Sequence, residues 1–211
     1  MKTEQLINAI VSDNVARPSL RQLFLHAAIL GVVADALIFF TAIGPRPDAV
    51  AATETWRFLF KFVITLSLAV PATILVYRLA APGMWTRCRP GSLAVPLGLL
   101  IAAALLELNL VPSSLWTVRM IGSNSVNCMT LIPLLAVPPL TCFIVLLRHG
   151  APRDPGLTGA IAGLAASAIA ATFYALNCFD DSPLFVITWY PLATAIVVSA
   201  GYFCGRRFLV W

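Results

Sequence analysis

Six apolar stretches, each about as long as a membrane crossing, constrain the fold of this 211-residue chain more than any other feature. A bilayer core about 30 Å thick needs roughly 20 apolar helical residues per crossing. Only 11% of the residues are charged and the mean hydropathy is +0.90, whereas soluble domains carry about 25% charged residues. We therefore predict an all-α polytopic membrane bundle, embedded in the lipid bilayer, with spans at residues 23–43, 58–80, 93–111, 129–147, 157–176 and 184–203.

The distribution of basic residues predicts the orientation of this bundle. Lys and Arg accumulate in the cytoplasmic loops of membrane proteins. Ten of the 14 lie on one side of the predicted bundle, and the outer side holds only Arg46, Arg57, Lys61 and Arg119. This bias predicts a cytoplasmic arm at residues 1–22, a transmembrane domain at 23–205 and a cytoplasmic tail at 206–211. Basic loops beside anionic lipid explain the net charge of +5 without direct nucleic-acid binding.

Two of the five cysteines are predicted to emerge at the outer face of the membrane. Cys128 lies at the start of the fourth span and Cys178 just beyond the end of the fifth. Disulfides persist in oxidising compartments, and soft metals prefer thiolate ligands, so this pair is predicted to have a redox or metal-binding role. We interpret Cys88, Cys142 and Cys204 as small apolar residues.

The charged residues Asp35, Lys61 and Glu107 lie inside the apolar spans. Each would cost about 2.5–3.5 kcal/mol at the centre of a bilayer, so each is expected to be paired, near an interface or facing a cavity. All three belong to the outer half of the bundle. We predict that Lys61 pairs with Glu107 or Asp35 across neighbouring helices. The alternative for Lys61 and Glu107 is a side chain that extends to the headgroups.

Small residues recur every four positions along the fifth span, at Gly159, Gly163, Ser167 and Ala171. Such a pattern allows a neighbouring helix to approach closely. It predicts packing against the fourth or sixth span, with homodimerisation as the alternative.

The N-terminal arm contains one apolar stripe, formed by Leu6, Ile7, Ile10 and Val11. The spacing predicts a short amphipathic helix. Such a helix either lies on the lipid surface or binds in the groove of a partner protein, and periodicity does not distinguish the two.

Motifs of known catalytic sites are absent from the sequence. The two histidines, His26 and His149, lack metal-ligand spacing to a second His or Cys, and no hydrolase, zinc-protease or nucleotide-binding fingerprint occurs. We therefore predict no enzymatic activity and no cofactor. A small transporter using Asp35, Lys61 and Glu107, or a purely structural membrane subunit, are the remaining alternatives.

Several short motifs are similar to those of a known family. They are Met1 to Ile7, Arg148 to Pro152 with Pro155, Tyr174-Ala175-Leu176 with Cys178 and Asp181, Trp189-Tyr190, and Gly205 to Arg207 with Trp211. Over the whole chain, and most densely from Cys128 onward, the sequence resembles the NrsF family of six-helix negative regulators of sigma F.

This resemblance implies a membrane anti-sigma factor of the bacterial inner membrane, whose cytoplasmic parts hold an extracytoplasmic-function sigma factor in the absence of stress. It also implies that two cysteines, matching Cys128 and Cys178, sense heavy-metal or oxidative stress. The arm residues Leu6, Ile7, Ile10 and Val11 are the expected sigma contact. The family commonly has His before the second cysteine, where this chain has Asn177, and this departure favours thiol chemistry over a nitrogen-assisted metal site.

Overall fold

The computed structural model describes residues 19–81 and 90–209, together with Glu4, and every regular element in these ranges is helical. The predicted arm contact and Cys88 lie outside them. The α-helices are α1 Leu20–Ile38, α2 Ala49–Ala52, α3 Trp56–Ala80, α4 Ala94–Leu110, α5 Trp116–Ile121, α6 Ser125–Leu135, α7 Val137–Leu147, α8 Pro155–Asn177 and α9 Pro183–Phe208; a π-helical turn, Phe39–Ile43, extends α1, and 3-10 turns form Pro90–Leu93 and Ser113–Leu115.

The described residues contain six helical runs that are long and apolar enough to span a membrane, which confirms the predicted all-helical class and the predicted number of long apolar helices. They are Leu20–Ile43, Trp56–Ala80, Gly91–Leu110, Ser113–Leu147, Pro155–Asn177 and Pro183–Phe208. The last helix ends at Phe208 rather than at the predicted residue 203, because Arg206 and Arg207 continue its final turn.

Side-chain caps determine where several of these helices begin. The hydroxyl of Ser19 accepts from the backbone N–H of Gln22, whose side chain returns the bond, and this capping box starts α1. The Asp154 side chain caps α8 by accepting from the backbone N–H of Leu157, and the Ser182 side chain caps α9 by accepting from that of Leu184. In both cases the first helical residue is a proline, which lacks the donor that a helix leaves unused at this position.

The fourth span is broken in its middle. Pro133, Pro138 and Pro139 remove backbone donors and predict a kink. In the structure α6 ends at Leu135 and α7 begins at Val137, with Ala136 between them. The helix that carries Cys128 is therefore interrupted at one residue before the second half of the span.

Helix α8 forms the centre of the bundle, and 67% of its most apolar 18-residue stretch is buried. Gly159 and Gly163 lie against α9, where Gly201 and Gly205 face them. A Cβ atom at Gly163 would lie 2.6 Å from the carbonyl oxygen of Val197, closer than any side chain allows. The two backbones thus pack in direct contact, which is the arrangement that small residues permit.

We expect the substitution Gly159→Leu to destabilise the protein by about 3 kcal/mol or more, because the side chain would meet the backbone of Gly201 and Gly205. The matched control is Gly98→Leu in α4, where nothing lies within 4 Å of the added Cβ. Unfolding of both variants in detergent measures the difference. Equal stability of the two would contradict the close packing of α8 on α9.

Candidate functional site

Cys128 and Cys178 lie at one end of the bundle. We call this end the cysteine end, and it comprises the connections at residues 44–55, 111–124 and 178–182. Cys128 is in the first turn of α6 and Cys178 caps the C-terminus of α8. Both are free thiols with 0% of their surface exposed, and both belong to the main buried cluster. Neither thiol is open to water in this arrangement.

Two tyrosines are buried in the same cluster as the two thiols. They are Tyr174 from α8 and Tyr190 from α9, whose ring centroids are 6.1 Å apart. The Cys178 Sγ atom donates to the carbonyl oxygen of Asp180 at 3.7 Å. Burial raises the pKa of the Cys178 thiol, against the opposing effect of the Lys61 ammonium. The thiol is therefore neutral and unreactive while it remains covered.

The donor set at the thiol pair does not fit a resident metal ion with three or four protein ligands. Among residues 19–81 and 90–209, no His, Cys, Asp or Glu joins Cys128 and Cys178 to form a group of three. A structural zinc ion, by comparison, takes four ligands of this kind. The metal role predicted from the sequence is thus restricted to capture of a soft ion by the two sulfur atoms.

The segment Cys178 to Ser182, here called the Cys178–Ser182 loop, is bonded to parts of the chain that are distant in sequence. Arg46 forms a bidentate pair with Asp48 at 2.8 and 2.9 Å and donates through Nη1 to Asp181 at 3.0 Å. The same Nη1 donates to the carbonyl oxygen of Cys178 at 3.2 Å, and the guanidinium lies against the Phe179 ring. Arg46 thus joins the connection between the first two spans to this loop.

Lys61 is the second cation that contacts the loop. Its ammonium pairs with Asp181 at 2.5 Å and donates to the carbonyl oxygen of Cys178 at 2.8 Å, with only 1% of the side chain exposed. The predicted pairing of Lys61 with Glu107 or Asp35 is wrong. A carboxylate in a short loop supplies the partner, because the C-terminus of α8 directs the chain over the start of α3.

Glu107, near the end of α4, is satisfied by other residues. Its carboxylate accepts from Arg119 at 2.7 Å and from the Ser182 hydroxyl at 2.6 Å, and Arg57 lies 3.6 Å away. The backbone N–H of Leu184 donates to the same carboxylate at 3.1 Å. Glu107 therefore stabilises the start of α9, because the helix dipole favours a negative charge at the N-terminus.

Asp180 connects the loop to the fourth span. Its Oδ2 atom accepts from the backbone N–H of Ser123 at 2.9 Å and that of Asn124 at 2.8 Å. Both side chains also donate to it, Ser123 at 3.3 Å and Asn124 at 3.0 Å. Asn124 is the N-cap of α6, so this carboxylate anchors the loop to the helix that carries Cys128.

Asp35 is isolated from Lys61 and Glu107. It is 0% exposed, and neither carboxylate oxygen has a hydrogen-bond partner among the described residues. The structure therefore brings Lys61 and Glu107 into the cysteine end, each with its own partners, and leaves Asp35 apart. This arrangement does not place the three side chains along one polar path, as a transporter would require.

The sequence reasoning missed the most connected residues of the site. Arg46 was assigned only to the outer basic residues, Asp181 was named only within the family resemblance, and Asp180 and Ser182 were not selected. A usable signal exists, because Asp180-Asp181 is the only pair of adjacent acidic residues in the sequence and lies in the short connection between two long apolar spans. A segment of this kind must satisfy its charges at a bilayer surface, and basic residues of the same side are the natural partners.

The fold and the site define a class: a bundle of six helices that could span a membrane, with two buried thiols beneath a salt-bridged loop at one end. The chain belongs to the NrsF family, described as negative regulator of sigma F, whose family model matches residues 10–211.

Two relatives are similar to this chain along their whole lengths. The probable anti-sigma-F factor NrsF of Azospira oryzae is 31% identical over 217 aligned positions, covering 100% of each chain. The anti-sigma-F factor NrsF of Caulobacter vibrioides is 29% identical, again covering 100% of each chain. No solved structure matches this chain.

Proposed function

We propose that the protein is a membrane anti-sigma factor that holds an extracytoplasmic-function sigma factor at the bacterial inner membrane. Membership of the NrsF family carries this proposal, supported by full-length similarity to two proteins named anti-sigma-F factors. A regulatory role also agrees with a site in which charged side chains bond one another instead of facing an open cavity.

In this proposal the cysteine end faces the periplasm and both termini face the cytoplasm. At the opposite end of the bundle, basic residues outnumber acidic ones. The carboxylate in the last loop at this end is that of Asp154. The distribution supports a cytoplasmic position, because basic loops remain on that side of a membrane. The described residues concerned are Arg21, Arg78, Arg148, Arg153, Arg206 and Arg207.

The proposed signal is a change at the Cys128 and Cys178 thiols, either their oxidation to a disulfide or their capture of a soft metal ion. The Cys178–Ser182 loop bonds to Arg46, which precedes α3, to Lys61 in the second turn of α3, and to Glu107 of α4. A displacement of this loop would therefore be transmitted to several spans together, and through the break at Ala136 to the second half of the fourth.

The energy required for release is compatible with such a signal. Moving a two-state bundle from 1:99 to 99:1 needs about 5.5 kcal/mol of differential stabilisation. A disulfide changes stability by as much as about 5 kcal/mol, whereas one exposed ion pair supplies about 1 kcal/mol at most. A covalent or thiolate–metal link between Cys128 and Cys178 is thus of the right order to weaken sigma binding at the opposite end.

The proposed sigma contact is the arm stripe of Leu6, Ile7, Ile10 and Val11, helped by basic loops that include Arg148 and Arg153. An isolated helix this short is marginal in water, so it would order when a partner covers its apolar side. Homodimerisation through the bundle remains a separate prediction.

Co-purification tests this proposal. We expect the solubilised protein to retain a co-expressed sigma factor. Ile7→Asp with Ile10→Asp should lower the retained amount at least about tenfold, since a loss of about 1.4 kcal/mol in binding free energy lowers the affinity by that factor. The matched control, Asn8→Asp with Ser12→Asp, adds the same charge on the other side of the arm helix. No retention by the wild type would contradict the anti-sigma role, and equal losses in both variants would contradict the arm as the contact.

A further inference from the structure

The turn at Gly122, Ser123 and Asn124 is built around the carboxylate of Asp180. Four hydrogen bonds from Ser123 and Asn124 converge on one oxygen of Asp180. Gly122 has φ +61°, and a Cβ atom there would lie 2.7 Å from Asp180 Cγ and 2.5 Å from the Phe185 ring. Glycine is thus required both by the backbone conformation and by the position of the carboxylate.

This turn leads directly into the helix that carries the first thiol. The backbone N–H of Cys128 donates to the carbonyl oxygen of Asn124 at 2.8 Å, and the Tyr174 hydroxyl donates to the same oxygen at 3.3 Å. Asp180 follows Cys178 by only two residues. A single carboxylate therefore links the backbone of one cysteine to the first helical turn of the other.

We propose that Asp180 is a positioning residue, which holds the Cys128 and Cys178 thiols in the mutual arrangement that their joint chemistry requires. This inference rests on the proposed sensing role of the pair. A disulfide needs Cα atoms about 4.4–6.8 Å apart with converging Cβ atoms. Without the Asp180 contact, the start of α6 would separate from the loop, so that each thiol reacts alone.

The neighbouring carboxylate has a different role. Asp181 bonds to Arg46 and Lys61, which lie outside α6, whereas the bonds of Asp180 go to the turn that begins α6. It fastens the loop to α3, whereas Asp180 fixes the distance between the two cysteine-bearing segments. The two adjacent acidic residues therefore act on different pairs of elements.

A ratio of two alkylation products tests this role. The full chain would carry Cys88→Ser, Cys142→Ser and Cys204→Ser, so that only the pair reacts. Dibromobimane bridges two adjacent thiols, each sulfur displacing one bromide, and monobromobimane reports each thiol singly. We expect Asp180→Asn to lower the ratio of bridged to singly alkylated protein about tenfold. Displacing reacting groups by about 1 Å can slow their reaction by more than this factor. Labelling by monobromobimane should be unchanged or faster.

The control is Asp48→Asn, which removes an exposed carboxylate of the cysteine end that pairs with Arg46 and does not contact α6. An unchanged ratio in Asp180→Asn would overturn the proposal. If that variant fails to fold, Ser123→Ala with Asn124→Ala removes the two side-chain donors to Asp180, together with the exposed side-chain bonds of Asn124 to Ser123 and Asn127, and leaves the two backbone donors in place. An unchanged ratio there would overturn the proposal as well. No sigma factor enters the labelling, so failure of this proposal and failure of the anti-sigma role are distinguishable.

Discussion

Replacing both thiols of the proposed sensor, Cys128→Ser with Cys178→Ser, is expected to abolish induction of the sigma regulon by the thiol oxidant diamide and by cadmium, while repression without stress persists. Serine is close to cysteine in size, and at position 178 its hydroxyl can donate to the Asp180 carbonyl oxygen that the thiol contacts. The resting arrangement is thereby retained. Reporter expression with and without each stressor, with the protein level checked in the membrane fraction, measures the effect.

The matched control for this experiment is Cys142→Ser with Cys204→Ser, which removes two thiols that lie away from the cysteine end. Both side chains are only partly buried, and neither caps nor contacts the Cys178–Ser182 loop in the described structure. Full induction is expected in this variant. Persisting induction in the Cys128 and Cys178 variant would reject the thiol mechanism, although sigma binding through the arm would be unaffected by that result.

The spans were predictable from sequence because hydropathy over about 20 residues is a local property. The placement of Cys128 and Cys178 at one end followed from counting the spans. The break at Ala136 was also accessible, since each of Pro133, Pro138 and Pro139 removes a donor wherever the helix packs.

The ion pairs of the cysteine end could not be derived in the same way. Lys61 and Asp181 are 120 positions apart in the chain, and their contact depends on how α8 packs beside α3. Glu107 was an equally reasonable partner from depth alone. The choice between carboxylates is made by a loop of five residues, whose conformation follows from all the contacts it makes together.

The substitution Lys61→Met is expected to destabilise the folded protein by about 3–5 kcal/mol, the usual cost of removing one partner from a buried ion pair. The ammonium is fully covered and contacts both Asp181 and the Cys178 carbonyl oxygen. Methionine fills similar volume but supplies no donor, so the carbonyl oxygen loses its strongest partner and Asp181 keeps only Arg46. Unfolding of the solubilised protein, followed by circular dichroism, measures the loss.

Arg57→Met provides the matched control, because Arg57 lies in the first turn of the same helix but keeps 35% of its side chain exposed. Its partner Glu107 retains Arg119, so the expected cost is about 0–1 kcal/mol, as for exposed ion pairs in general. Equal stability of the two variants would show that the Lys61 pair contributes little to the fold. A large loss confined to Lys61→Met, accompanied by faster alkylation of Cys178, would instead mean that this ion pair keeps the loop closed over the thiol.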